Sequence, residues 1–327
     1  MSTTDTPMRL GARPWSHLVP LTLREVPTPG LDLTVERRAI TPDLLAEPTL
    51  DAAETSFSRY VRARAAGDDR IVAVPAFVMR AFRHRCLLVR RTSDLTTVEQ
   101  LTGARIGLTG WPDSGNTWTR AILRRAGVDL GTISWMVGPL TADAAGGDRT
   151  GGLVPPANVR LAGPGESLVG GLLDGSLDAI MTPFMPPGFH TDDSPLRPLL
   201  VDYPSAEAAY LRDVGFIPGI HLIGVRREVV ARRPEVLADL RRALTASRDA
   251  WWSGQRKLAD PTPWALADID RTERLAGPDW MPYGLAANAR MIAAFCTELQ
   301  AQGLVDEPVD VAGLFAEYAK VADEEED

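Results

Sequence analysis

The chain has 327 residues, of which 45% are hydrophobic and 24% are charged. This length exceeds what one ordinary hydrophobic core holds, so we expect two compact lobes of about 100 to 150 residues each. The formal net charge of −8 argues against a nucleic-acid partner, because affinity for nucleic acid comes mainly from clustered Lys and Arg.

The N-terminal segment and the two cysteines indicate where the protein works. Residues 1–13 are polar and lack the apolar core of about 7 to 15 residues that a secretory signal needs. No run of about 18 apolar residues follows, so we expect no membrane partner. Cys86 and Cys296 lie far apart in apolar runs, which favours buried thiols over a disulfide or a metal framework. These features predict a cytoplasmic protein.

The first part of the chain predicts alternating strands and helices. A strand is expected near Leu18, and a second strand begins at Leu31 after a loop rich in Pro and Gly. Residues 52–67 space their apolar side chains at helical intervals, so we predict a helix that ends at Gly67. The apolar run Ile71–Phe77 then predicts a buried strand.

The middle of the chain predicts a second lobe. Short strands are expected at Cys86–Val89 and Gly103–Leu108, followed by a helix over Thr117–Ala126. The strand His221–Val225 would return the chain to the first lobe, and the remaining sequence is helical: 234–252, 285–302 and 311–322.

This alternation predicts an α/β protein with two lobes, each an open, mainly parallel or mixed sheet flanked by helices. Lobe I would comprise residues 1–92 and 221–327, and lobe II residues 93–220, with two crossovers and a helical C-terminal end. The ligand is expected between the lobes, at the carboxyl ends of the strands.

Nucleotide and zinc-protease signatures are missing, and a basic cluster stands out instead. Arg80, Arg83, His84 and Arg85 lie between two apolar strands, where the arginines could bind carboxylates and the histidine could move a proton. A basic surface turn with a hydrogen-bonded histidine is the alternative. His221 starts the return strand and is a second candidate, with a packed crossover histidine as its alternative.

Two predicted helix starts supply further candidates for binding an anion. The first offers Glu54, Ser56, Ser58 and Arg59, although helix capping alone would explain the serines. The second offers Thr117, Trp118 and Arg120, for which an ordinary helix-surface arginine and a core tryptophan are the alternatives.

The order of these segments resembles the 4,5-dihydroxyphthalate decarboxylase family across residues 18–252. The matching segments are Glu54–Tyr60, Val74–Phe77, Arg80–His84, Leu101–Gly107, Thr117–Arg120, Gly175–Ala179, Glu207–Tyr210 and Gly215–His221. The pieces around Phe82 and Phe216 are the specific ones, and they add these two aromatic residues to the substrate-binding candidates. The resemblance implies the type II periplasmic-binding-protein-like fold and a homo-oligomer.

The family's activity implies non-oxidative decarboxylation of a small hydroxyaryl dicarboxylate. His84 and His221 would share the proton-transfer roles, Arg83 and Arg120 would hold carboxylates, and Ser56 or Ser58 would orient the ring. No organic cofactor is implied, and a divalent metal held by both histidines and a carboxylate is an alternative. Two other functions stay open: a non-catalytic cytoplasmic binding or sensor protein, and another enzyme acting on carboxylates, like those of the futalosine route.

Overall fold

The computed structural model describes residues 6–144, 147–258 and 262–322, and within them the chain forms two compact units. The strands are β1 Thr6–Ala12, β2 Leu31–Arg37, β3 Ala52–Ser56, β4 Ile71–Arg80, β5 Leu87–Arg90, β6 Arg105–Leu108, β7 Ser134–Val137, β8 Val159–Leu161, β9 Ala179–Met181, β10 Leu196–Pro198 and β11 Gly219–Arg226. The helices are α1 Val19–Thr22, α2 Phe57–Ala65, α3 Ser114–Arg125, α4 Leu168–Asp174, α5 Tyr203–Val214, α6 Arg227–Arg232, α7 Val236–Leu258, α8 Ala265–Ala276, α9 Ala289–Ala301, α10 Val311–Leu314 and α11 Ala316–Ala319.

The first unit is built on a mixed sheet with the strand order β2-β1-β3-β11-β4. Strands β2, β1 and β3 are parallel, whereas β11 runs antiparallel to both β3 and β4. Alternate side chains of β1 face the core, where Met8 and Leu10 pack with Leu240 and Leu244 of α7. The unit therefore has its own core.

The second unit is built on a mixed sheet with the strand order β10-β5-β9-β6-β7-β8. Strands β9, β6, β7 and β8 are parallel, and β5 is antiparallel to both of its neighbours. Its core joins Leu88 of β5 and Ile180 of β9 with Leu168 and Leu172 of α4. The predicted fold class, with two mixed sheets flanked by helices, is confirmed.

The unit boundaries differ from those that the sequence predicts. The first unit holds the described residues within 1–81, 216–300 and 305–327, and the second holds those within 82–215 and 301–304. The first boundary falls before residue 92 because β5 pairs with β9 and β10 of the second sheet. Among the described residues, no helix combines the length and the apolar character that crossing a bilayer requires.

Candidate functional site

The first unit gathers a polar cluster at the carboxyl ends of β1 and β3. Parallel pairing sets Gly11 of β1 against Ala53 of β3, so Arg13, just beyond β1, lies level with the end of β3. Antiparallel pairing sets His221 of β11 against Ser56, which makes His221 a diagonal cross-strand neighbour of Glu54. The sheet thus brings Arg13, Glu54 and His221 together.

The Glu54 carboxylate is fully buried and accepts five hydrogen bonds. Its Oε1 accepts from Nε of Arg13 at 2.9 Å and from Nη2 of Arg13 at 2.7 Å, and it lies 2.6 Å from Nδ1 of His221. Its Oε2 accepts from the backbone N–H of Arg13 at 2.8 Å and from the Trp15 indole at 3.0 Å. These donors use the acceptor capacity of both oxygens.

The donors keep this buried carboxylate ionised. Burial by itself raises the pKa of Glu54, but the hydrogen bonds and charges of His221 and Arg13 outweigh it and lower the pKa to about 2. The side chain of His221 is 15% exposed and that of Glu54 is fully buried, so a ligand can reach the histidine more readily than the carboxylate.

The sequence predicts that Glu54 binds substrate. Its buried position and its contacts make it better placed to orient His221. The cluster also contains two residues that sequence reasoning missed, Arg13 and Trp15. The signal was available: the apolar residues Met8, Leu10 and Ala12 recur at every second position, which is typical of a half-buried strand that ends just before Arg13.

The remaining candidates of the first unit lie outside this cluster. The Ser56 hydroxyl caps α2 by accepting from the Arg59 backbone at 3.4 Å, and the Ser58 side chain is fully buried. Arg59 is 64% exposed and lines a separate cavity of about 450 Å³ together with Thr55, on the other face of β3 from Glu54. Phe216 is half-buried at the unit boundary.

Arg80 is held by hydrogen bonds to other residues of the first unit. Its guanidinium donates to the carbonyls of Ile217 at 3.2 Å and Pro282 at 2.8 Å and to the Asn288 amide oxygen, and it lies over the Phe77 ring at 5.2 Å. These acceptors favour a role in holding β4 to its surroundings over the predicted grip on a carboxylate.

In the second unit, Arg83 lies against the first turn of α3. Its side chain is 1% exposed, and its Nε donates to the Gly115 carbonyl at 3.1 Å and lies 3.5 Å from the Thr119 hydroxyl. Its terminal nitrogens have no hydrogen-bond acceptor among the described residues. Burial lowers the pKa of Arg83. The guanidinium nonetheless keeps N–H donors that can bind an anion.

His84 is a buried, neutral histidine beside Arg83. It is 5% exposed and meets the Tyr210 ring edge-on at 5.3 Å, and Phe82 packs on the same tyrosine at 6.4 Å. Burial lowers the pKa of His84 to about 4, and its Nδ1 has no partner among the described residues. His84 belongs to the second unit and His221 to the first, so their shared role stays a prediction.

Arg120 is buried and does not lie on a helix surface. It is fully buried in the second unit, where Nε donates to Gln302 at 2.7 Å and Nη2 to the Trp111 carbonyl at 2.8 Å, with the guanidinium 4.3 Å from the Trp111 ring centroid. Trp118 and Thr117 of the same helix are also buried. These contacts favour a packing role for Arg120 over the predicted grip on a carboxylate.

In the described part of the chain, no group of three His, Cys, Asp or Glu side chains is arranged to hold a metal ion. Both cysteines are free and buried, as the sequence predicts.

Two curated proteins are similar in sequence to this chain. The chain is 29% identical over 274 residues to the 4,5-dihydroxyphthalate decarboxylase of Comamonas testosteroni, which covers 81% of this chain and 82% of that protein. It is 33% identical over 147 residues to the 4,5-dihydroxyphthalate decarboxylase of Pseudomonas putida, covering 42% of this chain and 54% of that protein. Both relatives carry the name of a carboxy-lyase, which supports an enzyme of that kind.

No family model matches the chain. Among solved structures, the periplasmic aliphatic sulphonate binding protein SsuA from Escherichia coli matches with a TM-score of 0.54 and 16% identity, covering 94% of this chain and 91% of that one. At this identity the match speaks for the fold alone. The chain is thus similar in sequence to two 4,5-dihydroxyphthalate decarboxylases and has a periplasmic-binding-protein-like fold, which confirms the resemblance in its sequence.

Proposed function

We propose that this protein is a non-oxidative decarboxylase of a small hydroxyaryl dicarboxylate, similar to 4,5-dihydroxyphthalate, and that His221 transfers the proton. The observation that carries the proposal is the ionised Glu54 carboxylate 2.6 Å from the His221 ring, in a chain similar in sequence to two named decarboxylases. A carboxylate in this position stabilises the imidazolium that exists whenever the ring holds the transferred proton.

The proposed reaction needs only a proton and a place for the departing carboxylate. The proton adds to the ring carbon that bears the carboxylate, while a conjugated ring hydroxyl supplies electron density. The carbon–carbon bond to the carboxylate then breaks, CO2 leaves, and the electron pair of that bond restores the aromatic ring. Hydrogen replaces the carboxylate, so the step consumes one proton and needs no oxidant or reductant.

The two histidines suit different parts of this chemistry. His84, with its pKa lowered to about 4 by burial, is neutral at pH 7 and is proposed as the group that accepts a proton or hydrogen bond from a ring hydroxyl. His221 has an anionic partner and is proposed as the acid. Positioned acid–base groups of this kind contribute roughly 10² to 10⁴-fold to a rate.

Arg83 is proposed to hold a substrate carboxylate. Arg83 is 1% exposed, and its terminal nitrogens have no hydrogen-bond acceptor among the described residues. A substrate carboxylate would supply two acceptor oxygens to these nitrogens. Bidentate pairing of this kind is strong and fixes the orientation of the bound acid.

The proposal includes the setting in which the enzyme works. We propose a cytoplasmic homo-oligomer that takes a small anionic carboxylate from solution, without an organic cofactor and with no nucleic-acid or membrane partner. The net charge of −8 supports the exclusion of nucleic acid.

The proposal is tested by incubating the purified protein with 4,5-dihydroxyphthalate and related hydroxyaryl acids, with and without added divalent metal. We expect CO2 release and a product lighter by one CO2. His221→Gln should lose at least about 100-fold in kcat, because it removes the proposed acid. The matched control is His190→Gln, which changes an exposed histidine of the second unit.

Tight binding without turnover of any acid would overturn the decarboxylase proposal and favour a binding or sensor protein. Full turnover by His221→Gln would overturn the role of His221 alone.

A further inference from the structure

We propose that Arg13 is a positioning residue, which holds the Glu54 carboxylate so that His221 keeps its ring proton on Nδ1 and presents Nε2 to the substrate. The catalytic part of this inference rests on the proposed function, whereas the position of the proton does not.

Arg13 binds Glu54 through both its backbone and its side chain. The backbone N–H binds Oε2 at 2.8 Å, while Nε and Nη2 bind Oε1 at 2.9 Å and 2.7 Å. The Trp15 indole adds a bond to Oε2 at 3.0 Å, and the Arg13 guanidinium lies 4.6 Å from the centroid of the same ring. A carboxylate held at both oxygens by two neighbouring residues cannot rotate without breaking charge-assisted bonds.

The distances around His221 decide which ring nitrogen carries the proton. Nδ1 lies 2.6 Å from Oε1 of Glu54 and 3.0 Å from Nη2 of Arg13. Without a proton on Nδ1, a ring lone pair would face an ionised carboxylate oxygen at the shorter of these two distances, which is repulsive. With a proton there, Nδ1 donates a short charge-assisted bond to Glu54.

Arg13 does not need Nδ1 as an acceptor. The same Nη2 donates to Oε1 at 2.7 Å, and its second hydrogen can be directed to the Met79 sulfur, 3.1 Å away. The arrangement therefore assigns the proton to Nδ1 and leaves Nε2 as the nitrogen that exchanges a proton with a ligand. A buried carboxylate that fixes the tautomer of a histidine is a recurrent device in acid–base catalysis.

The test reads the histidine directly, by two-bond ¹H–¹⁵N correlation spectra of the imidazole at a pH where the ring is neutral. We expect the wild-type His221 signals to report a protonated Nδ1 and an unprotonated Nε2. Arg13→Gln should bring in a population with the proton on Nε2, and kcat should fall at least about tenfold while KM changes less than about threefold. Arg13→Lys should recover part of the loss.

The matched control is Arg9→Gln, which removes an exposed arginine of β1 that is paired with Glu36 of β2. If Arg13→Gln does not fold, Trp15→Phe removes one hydrogen bond from Oε2 without changing a charge and should give the same effects in smaller measure.

A wild-type spectrum with the proton on Nε2 overturns the inference whether or not the enzyme turns over any acid. Unchanged tautomer and kcat in folded Arg13→Gln also overturns it. A protonated Nδ1 in a protein without decarboxylase activity would instead overturn the proposed function and leave the tautomer assignment standing.

Discussion

Arg83 combines complete burial with terminal nitrogens that have no acceptor among the described residues. We predict that Arg83→Lys raises KM for a hydroxyaryl dicarboxylate about 10- to 100-fold, because lysine cannot form two parallel bonds to a carboxylate and a charged hydrogen bond contributes about 1.5 to 3 kcal/mol. Steady-state kinetics would measure this. The control is Arg125→Lys, which changes an exposed arginine of α3 in the same unit. Equal KM values in both variants would contradict carboxylate binding by Arg83.

The three arginines of greatest interest show what the sequence could predict at this scale. Composition and spacing select Arg80, Arg83 and Arg120 as candidates, but they do not indicate which of these guanidinium groups has its donors occupied within the fold. The guanidinium groups of Arg80 and Arg120 donate hydrogen bonds to carbonyl and amide oxygens of residues far away in the chain, such as Pro282 and Gln302. Such partners are fixed by tertiary packing, which no local pattern contains.

Arg13 is one of the two residues of the cluster that sequence reasoning missed, for the same reason. Glu54 and His221 were both candidates from the sequence, yet they are 167 residues apart, and the residue that joins them lies 41 residues before Glu54. Only the order β1-β3-β11 within the sheet brings the three together.

At the scale of elements, β11 is irregular where it carries His221. Its pairing with β4 shifts register between Gly219 and His221 and again between His221 and Ile223. Such irregularities re-aim side chains near functional sites. A Cβ on Gly219 would lie 2.6 Å from Cδ1 of Phe77 and 2.7 Å from the Met291 methyl, so the strand has room only for glycine there.

We therefore predict that Gly219→Ala lowers the free energy of unfolding by about 1 to 3 kcal/mol and also reduces kcat, because the strand must shift to relieve the overlap. Urea unfolding and steady-state kinetics would measure the two effects. The control is Gly254→Ala in α7, where a Cβ meets nothing within 4 Å and where alanine should stabilise the helix by up to about 1 kcal/mol. A stability of Gly219→Ala equal to the wild type would contradict this explanation of the glycine.

Two elements near the site differ from the sequence prediction. Residues 52–56 form β3 instead of the first turns of a helix, and α2 begins only after Ser56, which caps it. A run of four buried residues suits a central strand as well as a buried helix, so periodicity alone could not separate them. The prediction of a strand near Leu18 is wrong. A short 3-10 helix and α1 occupy these positions, with a proline in the first turn of α1.

At the scale of the whole molecule, alternating strands and helices were sufficient to predict two sheets but not where one unit ends. The strand Leu87–Arg90 looks the same in sequence whichever sheet it joins, and its partners β9 and β10 come about 90 to 110 residues later along the chain. Strand partners are non-local, so boundaries that depend on them lie beyond sequence patterns.

Each unit buries one neutral histidine, and this makes the stability of the protein depend on pH. Burial lowers the pKa of His17 in the first unit to about 4, with Glu54 opposing and Arg248 reinforcing the effect, and burial lowers the pKa of His84 in the second unit to about 4. Below pH 6.5 the unfolded chain binds protons that the folded chain does not, so acid favours unfolding until the pH reaches about 4. Glu54 has a pKa of about 2 in the folded protein, so its contribution to the free energy of unfolding is lost only at lower pH, between about 4.5 and 2.

We accordingly predict that the free energy of unfolding falls as the pH drops from 6.5 to 4, by up to about 1.4 kcal/mol per pH unit for each of the two histidines. Urea unfolding at intervals of one pH unit, followed by tryptophan fluorescence, would measure the slope. His17→Gln should reduce the slope by up to half, because glutamine cannot take up the proton, whereas His190→Gln, at an exposed position, should leave it unchanged. A free energy of unfolding that stays constant between pH 7 and pH 5 would contradict burial of neutral histidines in both units.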